Sequence, residues 1–300
     1  MSEKPHHIVR PLDPAALALI VALCLSWGFN QVSVKLALAD IPPLLQGTIR
    51  SAGAGVLVAL WCWLRGVPLF ARDGSLWPGI AAGAGFGLEF ILIFQGLAYT
   101  TATRAVLFIY LAPFFVVLGA RIFLPADKFS SAQWLGLALS FLGMIVAFGV
   151  PTPALDPRQM LGDLMMVGAA IGWAATTLII KTSRLNRIAS EKVMLYQLAV
   201  SVPMFVIAAA FAGEHIAHAP SALAIGAMVY QTVWIVCLTY VLWFALVVRY
   251  SANRLSVFTF LTPLFGVAAG HLVLGEPLTF AFAAAVAFVA LGLVLVNRAK

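Results

Sequence analysis

Runs of 18 or more apolar residues recur along the whole chain, broken only by short polar stretches. That pattern leaves few folds open, because each run matches the ~20 residues with which an α-helix crosses the ~30 Å hydrocarbon core of a bilayer. Backbone groups find no water there, so the spanning elements must be helices. Ten spans are expected, at about 14–35, 42–64, 76–98, 102–124, 130–150, 160–182, 189–212, 222–248, 252–274 and 279–297. Pro42-Pro43, Asp73-Gly74 and Pro151-Thr152-Pro153 punctuate the joins. Hydrophobic residues make up 63% of the 300 and charged ones 10%, against about 45–50% and 25% in soluble domains. No polar stretch is long enough to fold alone. The first run has no small-residue cleavage site behind it and is read as a retained helix, not a removed signal peptide. Cys24, Cys62 and Cys237 lie in apolar runs without motif spacing and are read as core residues.

A net charge of +7 raises the question of nucleic acid. The placement of the charges answers it. With the N-terminus in the cytoplasm, 14 of the 18 Lys and Arg fall at or near the inner side, and only Lys35, Arg50, Arg104 and Arg158 lie toward the outside. This asymmetry predicts that both termini are cytoplasmic, in a multi-pass protein of a bacterial cell inner membrane. The basic balance is topology, and no nucleic-acid partner is expected.

The sequence also repeats itself. "ATRAVLFIYLAPFFVVLGARIFL" (102–124) and "ANRLSVFTFLTPLFGVAAGHLVL" (252–274) share Arg104/Arg254, Phe108/Phe258 and Pro113/Pro263 at an offset of 150. At an offset of 146, Trp27 meets Trp173 and Lys35 meets Lys181, so both halves carry W-x7-K. Two units are expected, 1–150 and 151–300. Five helices per unit is an odd number, so the second enters the membrane in the opposite sense. Inverted repeats of this kind characterise secondary transporters, whose substrate sites lie between the halves near mid-membrane.

These residues resemble the drug/metabolite transporter superfamily, in particular its EamA-type ten-helix exporters. The marks are W-G-x-N-x4-K in the first span (Trp27, Gly28, Asn30, Lys35), the mid-helix prolines of spans four and nine, and "LGEPLT" (274–279). The first half departs from the last motif, with "LPADKF" where a Gly-Glu pair would stand. Within the superfamily the chain looks most like the aromatic amino-acid exporters. The resemblance implies an all-α membrane protein, two inverted five-helix repeats around a central cavity, and outward movement of small metabolites by alternating access.

Several polar and aromatic residues fall deep in spans. Trp61, Trp63, Trp77 and Trp134 fit the interfacial belt of membrane proteins; Trp27, Trp173 and Trp234 do not. Their rings either fill gaps between helices or wall a cavity for an apolar or aromatic ligand. Asn30 and Gln31 stand at the places of Thr176 and Thr177 in the second half, where they join helices or bind an amino or carboxylate group. Glu89 alone among the 11 acidic residues is clearly deep in a span. It is either a protonated structural group or a functional one, binding a substrate ammonium or carrying a proton. Gly79, Gly83 and Gly87 give its helix a flat packing face. Pro113 and Pro263 free the carbonyls of Ile109 and Thr259 and mark bending elements, with Tyr110 beside the first. Lys35 and Lys181 lie about 12 Å beyond the two tryptophans, at opposite mouths. His271 is read as packing. His215 and His218 beside Glu214 are too few for a metal site without a second cluster.

HExxH, G-x-S-x-G and paired intramembrane carboxylates are missing from the sequence, as is G-x4-G-K-[ST]. The expectation is therefore a gradient-driven transporter without cofactor, not a membrane-embedded enzyme. Its partners are the lipid bilayer and a small molecule, an amino acid or related metabolite. A multidrug exporter is the alternative. The sequence does not set the oligomeric state, and a monomer is compatible with it.

Overall fold

The computed structural model describes residues 12–124, 129–149, 156–274 and 280–298. Most of "LPADKF" and of "LGEPLT" lies outside them. All described regular structure is helical. Asp13 begins α1 (Pro14–Ala37) by accepting the Ala16 amide at 2.8 Å, with Pro14 in the first turn where its missing N–H costs nothing. Then come α2 (Pro43–Leu64), α3 (Leu76–Leu97), α4 (Ala102–Ile109) and α5 (Ala112–Phe123). A Ser130–Gln133 capping box opens α6 (Ser131–Phe148), which closes at Gly149 in the left-handed region at φ 83°. Asp156 caps α7 (Pro157–Thr182), and α8 (Ser190–Phe211) follows after a 3-10 turn. The chain ends with α9 (Ala222–Val229), α10 (Tyr240–Arg249), α11 (Ala252–Phe258), α12 (Leu261–Leu274) and α13 (Phe280–Arg298).

These helices make ten spans long and apolar enough to cross a bilayer. The sixth begins at Pro157, a few residues before its expected start. Large apolar side chains such as Val56, Ile122 and Phe211 stand exposed around the bundle, facing lipid. Trp61, Trp63 and Trp77 are exposed at span ends on the side that holds both termini.

Spans four and nine each break ahead of their proline. α4 stops at Ile109 and α5 starts at Ala112; α11 stops at Phe258 and α12 starts at Leu261. The eighth span departs from the expected regular helix. Between α9 and α10 it runs as a ten-residue π-helix, Tyr230–Thr239, a geometry found mostly at functional positions. No signal in the sequence announces it.

Packing follows the two halves. α6 lies along α13, and α2 along α8. α1 lies along α12 as α7 lies along α4 and α5, and α3 meets α7 as the eighth span meets α1. Exchanging each span with the one five later returns the main pairings. Close approach relies on glycine, since lipid gives no hydrophobic drive to helix association. A Cβ at Gly79, Gly83 or Gly87 would come within 2.5–2.8 Å of Tyr196, Val200 or Met204 on α8. The two halves are not equivalent, however. α3 packs along α7 more extensively than the eighth span does along α1.

Candidate functional site

The first, third and eighth spans bring their aromatic residues together. Trp27 on α1 donates its indole N–H to Thr239 Oγ1 at 2.9 Å, at the end of the π-helix. Its ring sits edge-on to Tyr240 and Trp243, with centroids 6.0 and 5.3 Å away. Phe86 of α3 meets Tyr240 at 6.0 Å and Phe90 at 4.9 Å. Glu89 directly precedes Phe90 on that helix and is 8% exposed. It reaches α7 through Gly172, where a Cβ would lie 3.3 Å from Glu89 Cβ, so the glycine lets the two helices approach closely at Glu89.

Arg50 of α2 completes the group. Its guanidinium carbon lies 4.6 Å from the Phe90 centroid and 5.6 Å from that of Phe94. Glu89 and Tyr240 are within electrostatic reach of it. Arg50 and Glu89 lie about 10 and 12 Å along their helices from the membrane face opposite the termini, at 1.5 Å per residue. One turn before Arg50, the Gln46 side-chain carbonyl accepts from Gln231 of the π-helix at 3.1 Å.

Trp173 belongs to a second group of rings. It meets Tyr110 at 6.2 Å, and Tyr110 meets Phe260 at 5.9 Å, beside both helix breaks. No ring contact joins Trp27 to Trp173 among the described residues, so the two tryptophans belong to separate ring groups. Four buried polar atoms around these groups have no partner: Asn30 Oδ1, Thr176 Oγ1, Gln231 Oε1 and Arg50 Nε. Unsatisfied buried groups are uncommon in folded chains.

Thr176 also packs against Gly85, joining α7 to α3. Trp234 stands apart from both groups; the residue is 46% exposed and its indole N–H donates to Ser26 Oγ at 3.1 Å. Gln31 and Lys35 are exposed on α1. Lys181, in the last turn of α7, donates to the Val248 carbonyl at 3.4 Å. Pro113 and Pro263 are buried at the breaks. His271 is exposed near the end of α12. Glu214 accepts the amides of Leu44 and Leu45, completing the first turn of α2. His218 and Ser221 bond to Asp40, which holds that carboxyl down to about 2.

Sequence reasoning did not find Arg50, Phe86, Phe90, Thr239, Tyr240 or Trp243. Arg50 was counted as an outer charge, although its place seven residues into a span, in "GTIRSAG", was a usable signal. Conversely, the fold gives Arg104 and Asp163 a clear task. The Arg104 guanidinium pairs with Asp163 of α7, through Nε at 3.0 and 3.1 Å and through Nη2, while Thr100 donates to the same carboxylate at 2.6 Å. On the termini side the residues 150 positions away repeat part of this: Tyr250 donates to Asp13 at 2.7 Å.

Comparison with known proteins places this geometry in context. The profile of the EamA-like transporter family matches residues 14–149 and again 160–298. The uncharacterized transporter YvbV of Bacillus subtilis is 26% identical over 296 residues, 96% of this chain and 94% of that one. A probable amino-acid metabolite efflux pump of Salmonella typhimurium is 24% identical over 270 residues, 88% of this chain and 87% of its own. Its Escherichia coli namesake is 25% identical, with coverage of 88% and 87%. One solved crystal structure matches with a TM-score of 0.80 at 20% identity, covering 94% of this chain and 96% of that chain, and so shares the fold.

Proposed function

We propose that this chain, which belongs to the EamA-like transporter family, exports amino acids, foremost aromatic ones, across a bacterial inner membrane by alternating access. The observation that carries the reading is a buried acidic residue, Glu89, on the helix whose Phe86 and Phe90 rings join Tyr240 and, through it, Trp27. Rings receive an aromatic side chain, and a buried carboxylate receives its ammonium. The relatives named as amino-acid metabolite efflux pumps support the same substrate class. An exporter of organic cations is the weaker reading, because the Arg50 charge beside Glu89 repels such ligands.

The halves are residues 1–150 and 151–300, related by inversion, with both termini cytoplasmic according to the charge asymmetry. The chain acts as a transporter without cofactor and not as an enzyme, driven by gradients. Purified protein in liposomes, given a panel of amino acids with and without a pH gradient, tests this. Transport confined to non-amino-acid cations would replace the reading.

Movement is assigned to the breaks at Pro113 and Pro263. Each proline removes a backbone donor, and replacing it with Ala restores one. Pro113→Ala and Pro263→Ala are expected to lower flux at equal expression by stiffening their spans. Normal flux in both variants would show that the breaks are only structural.

A further inference from the structure

Arg50 is the buried charge that the packing leaves unexplained. It is 2% exposed, well inside α2, and no described residue forms a hydrogen bond or ion pair with it. Its Nε is buried without a partner. An unpaired guanidinium at such depth is expensive, and an apolar residue of similar volume would pack there without that cost. A charge serving only topology would stand at the helix end. Phe90 and Phe94 lie against the guanidinium, and its Nε, buried without a partner, is the edge by which an arginine takes a planar, two-oxygen acceptor. Glu89 directly precedes Phe90, whose ring lies against the guanidinium, and no ion pair joins it to Arg50 among the described residues. A guanidinium and a carboxyl group that do not pair with each other can meet the two ends of a zwitterion.

We propose that Arg50 anchors the α-carboxylate of the transported amino acid through its Nε edge, while Glu89 faces the ammonium. The identity of the ligand rests on the amino-acid reading above; the carboxylate anchor is tested separately from it. The full chain in lipid nanodiscs is offered three probes by equilibrium dialysis: 3-phenylpropanoate, its methyl ester and 2-phenylethylamine. The wild type should bind the acid at least about tenfold more tightly than the ester, the scale of a charge-assisted hydrogen bond. Arg50→Gln should lose that preference and bind 2-phenylethylamine more tightly than the wild type, since the charge that repels the amine is gone. Arg50→Lys, which retains the charge without the fork, should keep part of the preference and carries the test if Arg50→Gln does not fold.

A wild type that does not distinguish acid from ester would overturn the anchor. So would an Arg50→Gln variant with the wild-type preference. If the preference depends on Arg50 but no α-amino acid is exported, the anchor stands and the amino-acid reading fails. If amino acids are exported and the preference is indifferent to Arg50, the reverse holds.

Discussion

Asp163→Ala is expected to destabilise the folded chain by about 3 kcal/mol, the cost of leaving a buried guanidinium without its partner. Asp163 takes the Arg104 fork and the Thr100 hydroxyl together, and the Arg104 and Asp163 side chains are both 10% exposed. The pair joins the first half to the second, because Arg104 sits at the start of α4 and Asp163 near the start of α7. Close packing makes relaxation difficult. A Cβ on the adjacent Gly162 would come within 2.8 Å of the Thr100 amide. Arg104→Ala should cost a similar amount, and the double variant much less than the sum, since residues in one network are not additive. Unfolding in a denaturing detergent, run as a double-mutant cycle, reads the coupling. Additive losses would mean that the pair is incidental.

Glu89→Gln is expected to reduce export of amine-bearing substrates at least about tenfold, since a hydrogen bond to a charged group contributes about 1.5–3 kcal/mol. The substitution keeps shape and packing, including the contact with Gly172, so the folded protein should remain intact. Glu89→Asp should recover part of the activity by restoring the charge on a shorter arm. The comparison is made as initial export rate in liposomes at equal reconstitution, across a range of pH. Unchanged rates with an unchanged pH response in Glu89→Gln would make the residue structural.

The spans, their number and the internal repeat were legible because they depend on local quantities. Apolar length sets a membrane helix, and Arg and Pro at a fixed offset are rare enough to reveal duplication. The breaks at Pro113 and Pro263 were legible for the same reason, as proline acts on its own helix. Glu89 stood out because a carboxylate in an apolar run is costly wherever its helix packs. Arg50 carried the same signal, but a count of charges by side treats every Arg as a loop residue. The π-helix and the gathering of Tyr240 and Trp243 around Trp27 depend on contacts between distant spans, which no local pattern encodes. The place of Trp173 was hidden similarly. Its ring meets Tyr110 at the fourth-span break, a contact between distant spans.

The claim that the Trp27–Glu89 region receives substrate is tested most directly by Trp27→Cys in a chain with Cys24, Cys62 and Cys237 replaced. A membrane-impermeant thiol reagent should reach the new cysteine from water in at least one transport state, and a saturating exported amino acid should slow the reaction. A cysteine at this position that stays unreactive in every state, or reacts at a rate indifferent to the exported amino acid, would contradict a substrate site there and leave the aromatic cluster as helix packing.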